Sequence, residues 1–354
     1  MQPNLLSLLR CPVTRSSLEL QVIHTSRRTY DGKDVEIIET GFLFGENNWC
    51  YPIIGGIPRL IVEAMLVYEQ FMCAHLPDFR SRKEWVQQQY PGLLQYVEKK
   101  NRKTRQSFTQ EWGIFNYEED KVWDADATGM LNRFLQETDE TRESIRGKMI
   151  LDAGCGNGLL NQLVAGSGAT ILGMDFSQSI ERAWQQNRHA NALFIQGDVQ
   201  YPPVSFEAFD IVHSSGVLIC TNNTELSFSC IDPCVKTGGK MSVWLYHPRK
   251  DFIHNTFNFT RKFTSKLPLK LQYYLYLVTI FPASYVVKKI KGNPQNRREM
   301  MIDILDWFSP EFRWEHHPDE SASWFSKRQY SSVKVTTNEV FGFNMTGIKN
   351  SRIA

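Results

Sequence analysis

Three carboxylates and three glycines carry the clearest chemistry in this 354-residue chain. Asp152 closes an apolar run in LDAGCGNG (151–158), Asp175 closes a second in GMDFS, and Asp198 a third in GDV. Gly154, Gly156 and Gly158 make a bend where a Cβ would block the approach of a ligand to backbone. Asp175 lies seventeen residues past Gly158. An acid there can accept both hydroxyls of a ribose, as in other nucleoside-binding doubly wound folds. Phe176 follows it and can lie against a base, and Asp198 can accept from an adenine amino group. One acid at a strand end reads as a cap. Three in step with the glycines read as a cradle for a positively charged nucleoside.

A nicotinamide dinucleotide is the obvious competitor, since its domain also opens with strand, glycines and helix. Its fingerprint needs G-x-G-x-x-G, but here the third glycine falls one residue early and Leu159 holds the expected place. A pyrophosphate also wants a bare helix N-terminus. S-adenosylmethionine has no phosphate and presents an amine and a sulfonium, which suits aligned acids.

The elements that must hold these acids are legible around them. MILDAG (149–154) is an apolar run without alternation, as a central parallel strand covered on both faces requires. A helix from about Leu159, the strand ATILGMD (169–175), a helix over 178–190 and the strand ALFIQGD (192–198) follow. The strand FDIVHSS (209–215), a helix over about 223–236 and the strand KMSVWLY (240–246) complete five repeats. Such repeats predict an α/β fold with a doubly wound, mostly parallel sheet. SVKVTT (332–337) and FGFNMTGI (341–348) add an antiparallel hairpin, for seven strands in all. In front, residues 1–62 read as a small β-rich domain and 63–146 as a helical linker or cap. The catalytic domain spans 147–354, interrupted by a helical lid at about 247–330. Within the cap, EKKNRKTRQ (98–106) reads as solvent-facing helical charge, with phosphate binding as the alternative.

The composition narrows the partners. Net charge is only +2, which argues against nucleic acid. Seven irregularly spaced cysteines fit reduced thiols better than a disulfide framework. With no secretory pattern at the N-terminus, the expectation is a cytoplasmic protein. Leu271–Val287 carries no charge, yet seventeen helical residues reach only about 25 Å and include Gln272 and Pro282. It reads as a soluble apolar lid rather than a membrane segment. Residues 249–300 hold eleven Lys or Arg against Asp251 and Glu299. That basic, aromatic-rich lid could favour an acidic, phosphorylated or carrier-linked acceptor, or simply solubilise an apolar cap.

The run 148–246 resembles the class I S-adenosylmethionine-dependent methyltransferases, a Rossmann-like fold. LDAGCGNG, GMDFS, GDV, FDIVHSSGVL (209–218) and the strand after Gly238-Gly239 match its successive motifs. The resemblance implies that Asp152, Ala153, Gly154, Cys155, Gly156 and Gly158 surround the methionine portion of S-adenosylmethionine. It implies Asp175 at the ribose, Phe176, Asp198 and Val199 at the adenine, and Ser214, Ser215 and Gly216 near the sulfonium. Relatives often continue the fourth motif as GVLHHTPD, whereas this chain has GVLICTNN (216–223), so a histidine pair is replaced by Ile219 and Cys220. LLRCPVT (8–14) with WCYPIIGGIPRLI (49–61) resembles the zinc-ribbon-like domain that activates several methyltransferases. Four ligands are needed for structural zinc and only Cys11 and Cys50 remain, so the fold is expected without a metal.

Methyl transfer from a sulfonium is an in-line displacement, with a base where the acceptor must lose a proton. His247 follows the fifth strand, where an imidazole is a suitable type of base, though it could merely cap the turn before Pro248. His213 could be a base or a hydrogen-bonded core residue, and Tyr246 could orient a substrate. Asp306 and His316, in ILDWFSPEFRWEHHPDESASWF (304–325), are further candidates. The function expected is methylation of an O or N atom of a small-molecule acceptor, a specialised metabolite or glycan precursor. RNA or protein methylation, and a non-catalytic S-adenosylmethionine-binding regulatory module, are the alternatives. A homodimer is compatible with the sequence.

Overall fold

The computed structural model describes residues 1–114, 127–249, 251–293 and 295–351. Part of the expected helical cap, residues 115–126, lies outside them. Four strands open the chain: β1 (Glu19–Tyr30), β2 (Lys33–Phe44), β3 (Cys50–Ile54) and β4 (Ile57–Leu60). They pair antiparallel in sequence order. Helices α1 (Ala64–Val67), α2 (Glu69–His75), α3 (Phe79–Gln89), α4 (Leu93–Ile114) and α5 (Ala127–Thr138) follow.

The alternating part then runs β5 (Met149–Ala153), α6 (Leu159–Gly166), β6 (Thr170–Asp175), α7 (Ser179–Gln186) and β7 (Ala192–Gly197). After these come β8 (Phe209–Ser215), α8 (Thr224–Ile231) and β9 (Val235–Tyr246). Helix α8 stops short of the expected 236 because Pro233 cannot continue it, and Asp232–Cys234 forms a single 3-10 turn. The lid region holds α9 (Phe252–Thr264), α10 (Leu269–Ile290) and α11 (Arg297–Phe308). Helix α12 (Pro318–Lys327) and the hairpin β10 (Tyr330–Asn338) and β11 (Gly342–Lys349) end the fold.

The strand order is β1-β2-β3-β4-β7-β6-β5-β8-β9-β11-β10. The sheet therefore has eleven strands where seven were expected. The extra four enter because β4 pairs in parallel with β7, setting Arg59 against Gln196 and Leu60 against Gly197. From β4 to β9 every pairing is parallel, and β11 returns antiparallel between β9 and β10. The strand interiors are fully buried: Ile150, Leu151, Ile171, Leu172 and Val212 expose no surface. That is the physical reason their sequences show no polar alternation. The chain builds outward from β5 through β6 and β7, then reverses to β8 and β9. The carboxyl ends of β5 and β8 consequently flank the crevice where a doubly wound sheet takes its ligand.

Candidate functional site

A cavity opens at that crevice. Asp152, Asp175 and Asp198 border it, as do Gly154, Cys155 and Gly156 of the bend after β5. Phe176, Val199, Ser215 and Gly216 complete the sequence-expected part of its wall. Ala153, Gly158 and Ser214 do not border it; the Ser214 hydroxyl donates to the Ala153 carbonyl at 2.8 Å.

Two of the glycines are required by the protein's own packing. Gly154 has φ +100°, and a Cβ there would collide with the Val217 side chain. Gly158 opens α6 at φ +74°, where a Cβ would sit 2.6 Å from the Ala183 Cβ and 2.8 Å from the Phe194 ring. We expect Gly158→Ala to destabilise the fold by about 2–3 kcal/mol, combining left-handed strain with overpacking. Denaturant unfolding measures this; an unchanged midpoint would show that the bend tolerates a side chain.

The acids differ in their surroundings. Asp175 accepts from the Gly156 N–H at 3.0 Å, the Ser177 N–H at 2.8 Å and the Ser177 hydroxyl at 2.7 Å. Burial pushes its carboxyl above the usual range, and these hydrogen bonds offset only part of that rise. Asp198 accepts from Asn101 Nδ2 and the Gln200 N–H, both at 2.8 Å, with Lys100 Nζ 3.9 Å away.

Asn101 and Lys100 belong to the stretch read as solvent-facing charge. That expectation is corrected in part: Lys100, Asn101, Thr104 and Phe108 turn one face of α4 onto the cavity. Phe108 meets Phe176 edge-on with centroids 6.4 Å apart. The recurrence of residues 101, 104 and 108 at helical spacing was the available signal.

A second missed group lies on α5. Glu137 Oε2 stands 2.7 Å from His213 Nε2, while His213 Nδ1 lies 3.4 Å from Asp152 Oδ1. Both nitrogens of a protonated ring therefore donate to carboxylates. Burial opposes that charge, but the hydrogen bonds and charges of Asp152 and Glu137 outweigh it and raise His213 to about 9. Burial likewise works to raise Glu137, and its bonds to His213 and to Arg133, 2.8 Å away, hold it below the usual range. The Glu137 carbonyl accepts from Ser242, Thr336 and Asn344 at 3.0, 3.0 and 2.7 Å, which fixes the end of α5 to the sheet.

Among the described residues, His213 is the one base candidate on the cavity wall. His247 does not border the cavity; its Nε2 lies 3.0 Å from the Glu339 carbonyl. His316 bonds Glu320 at 3.0 Å and the Thr224 hydroxyl at 2.9 Å, also away from the cavity. The Tyr246 ring is covered by the Arg313 guanidinium 3.9 Å above it, which also stacks on Trp307 and pairs with Glu315 at 2.5 Å. Asp306 lies in α11, with its side chain outside the described residues. Cys220, Thr221 and Asn222 border the cavity; of the two residues that replace the histidine pair of the resemblance, Cys220 lies on its wall and Ile219 is buried.

In the amino-terminal region Cys11 and Cys50 are both buried. The Cys11 sulfur lies 3.2 Å from the Tyr51 hydroxyl and accepts from the Thr14 N–H at 3.4 Å. Burial raises the Cys50 thiol to about 12. No group of three or more potential metal ligands occurs among the described residues.

Residues 151–243 match the family model described as a methyltransferase domain. The chain is 26% identical over 175 residues to a ubiquinone biosynthesis O-methyltransferase of Glaesserella parasuis, covering 47% of this chain and 64% of that protein. It is 31% identical over 108 residues to the mitochondrial ubiquinone biosynthesis O-methyltransferase of Rattus norvegicus, covering 28% and 31%. The chain thus spans less than two thirds of the length of these curated relatives. Among solved structures, the magnesium protoporphyrin IX methyltransferase of Synechocystis PCC 6803 with bound SAH covers 70% of this chain and 98% of its own, at 15% identity and TM-score 0.41.

Proposed function

We infer that this chain is an S-adenosylmethionine-dependent methyltransferase acting on a small-molecule acceptor. The observation that carries the reading is the set of carboxylates at the ends of β5, β6 and β7 around one glycine bend. Asp152, Asp175 and Asp198 line a single cavity, and burial already strains the charge on Asp175. Such a wall favours a ligand that brings hydroxyl donors and positive charge, and it disfavours a pyrophosphate.

Asp175 accepts from the ribose hydroxyls, Phe176 and Val199 pack on the adenine, and Asp198 accepts from its amino group. Asp152, with Gly154 and Gly156, holds the amino-acid end, and Ser215 and Gly216 floor the reacting centre. When bound, S-adenosylmethionine supplies a methyl group on a sulfonium, which needs alignment more than acid catalysis. Cys220, Thr221 and Asn222 at the mouth face the acceptor side. His213 is a cation near neutral pH and holds Asp152 in place; it is not the group that takes a proton. Residues 1–62 serve as an accessory unit of the zinc-ribbon-like kind without its metal. Glycan precursors and specialised metabolites are the acceptor classes this reading favours, with the methyl going to O or N.

Calorimetry with S-adenosylmethionine, S-adenosylhomocysteine and NAD tests the cofactor. Binding of both sulfur nucleosides with NAD silent is expected; NAD binding alone would end the reading. A labelled-methyl assay on small-molecule, RNA and protein fractions then tests the acceptor, and label confined to RNA or protein would overturn the small-molecule part.

A further inference from the structure

The lid turns much of its apolar surface outward. Helix α10 packs inward through Tyr276, which joins Met301, Ile304, Leu305 and Phe308 in a small core of its own. Its opposite face carries Leu271, Tyr274 and Val278, exposed by 52%, 65% and 72%, while Val286 and Ile290, exposed by 55% and 80%, extend the apolar surface around the carboxyl end of the helix. Leu271, Tyr274 and Val278 recur at three- and four-residue intervals and form one stripe on the first half of a 22-residue helix about 33 Å long. The preceding helix α9 repeats the pattern with Phe252, Phe259 and Phe263, exposed by 84%, 63% and 61%. Scattered exposed side chains need no partner, but a contiguous apolar stripe does.

Charge identifies the partner. Residues 252–298 contain no Asp or Glu and nine Lys or Arg. Lys266 and Lys270 stand exposed at the start of α10, and Lys289 and Lys291 at its end. An apolar stripe with lysines at both ends suits a helix lying flat in a lipid interface, its stems in the acyl boundary and its ammonium groups at phosphates. A second copy of the chain would set this cationic face against itself. No helix among the described residues is long and apolar enough to cross a membrane.

We propose that α10, with α9 beside it in sequence, docks the protein peripherally on an anionic lipid surface. The soluble cap expected from sequence describes only the inner face of α10. Docking is independent of the activity proposed above, since it needs no cofactor.

The test is co-flotation of the full chain with vesicles of phosphatidylglycerol and phosphatidylcholine, against vesicles of phosphatidylcholine alone. Binding to the anionic vesicles is expected, weakened about tenfold at high salt. Val278→Asp combined with Ile290→Asp should abolish it, and Lys266→Glu with Lys270→Glu should weaken it at least about tenfold. Circular dichroism and thermal melts check that each variant is folded; as all four sites are exposed, either pair alone can decide. Absence of flotation, equal binding to neutral vesicles, or binding unchanged in both variants would overturn the proposal. Self-association lost in the same variants, without vesicle binding, would assign the face to a second copy instead.

Discussion

Replacing Asp175 by alanine should raise the dissociation constant for S-adenosylhomocysteine by about a hundredfold or more, while the protein remains folded. A half-buried carboxylate accepting from two ribose hydroxyls makes two charge-assisted hydrogen bonds, each worth about 1.5–3 kcal/mol when a partner is removed. About 3 kcal/mol is already more than a hundredfold in affinity. The residue also receives bonds from Gly156 and Ser177, so alanine removes support from the glycine bend as well. Asp175→Asn separates the two contributions. An amide oxygen can still accept from the Ser177 N–H and hydroxyl, which share one carboxylate oxygen, but its NH2 then faces the Gly156 N–H and the charge is gone. We expect the asparagine variant to stay folded and to bind S-adenosylhomocysteine roughly tenfold or more weakly. Calorimetry and a thermal melt on the same preparations check both. Unchanged affinity in a folded Asp175→Asn protein would remove the ribose from this carboxylate and with it the placement of the nucleoside.

The largest effect on stability is expected at Glu137. Glu137→Ala leaves His213 buried between Asp152 and an empty place, and breaking a buried ion pair costs about 3–5 kcal/mol. The same pair makes stability depend on pH. His213 is raised to about 9 in the fold from a value of 6.5, which corresponds to about 3 kcal/mol favouring the folded state when the ring is protonated. Because the folded value is the higher one, this contribution is complete below pH 6.5, declines as pH rises, and is gone above about 9. Urea unfolding across that window should therefore show the parent losing stability while Glu137→Ala, already weaker, shows a flatter profile. Parallel profiles would mean that His213 is neutral in the fold and that the Glu137 contact is an ordinary hydrogen bond. The consequence for the site is positional: with His213 displaced, Asp152 loses its partner on the cavity wall.

Legibility in the sequence followed the range of the interactions involved. The acids at 152, 175 and 198 were visible because each ends a local apolar run, and strand periodicity is written in neighbouring residues. The strands around them were visible for the same reason. Glu137 was not, because its meaning depends on His213, 76 residues away, and on three side chains that hold its carbonyl from β9 and the terminal hairpin. Asn101 looked like one polar residue in a basic helix until α4 packed against α7 and brought it to Asp198. His247 shows the opposite case. His247 sits where a strand end should deliver it, but its ring turns to the Glu339 carbonyl, a choice made by the loop before β11 rather than by β9.

By itself the sequence determined the parallel α/β core and the acid-lined end of its central strands, since both rest on short unbroken apolar runs and the residues that end them. Only the tertiary structure decided that the sheet continues through β4 to eleven strands, that α4 and α5 close the cavity, and which face of α10 points to solvent. Those outcomes depend on which surfaces meet across long stretches of chain. A helix or strand pattern states that an apolar face exists, but the geometry of the whole fold selects what covers it.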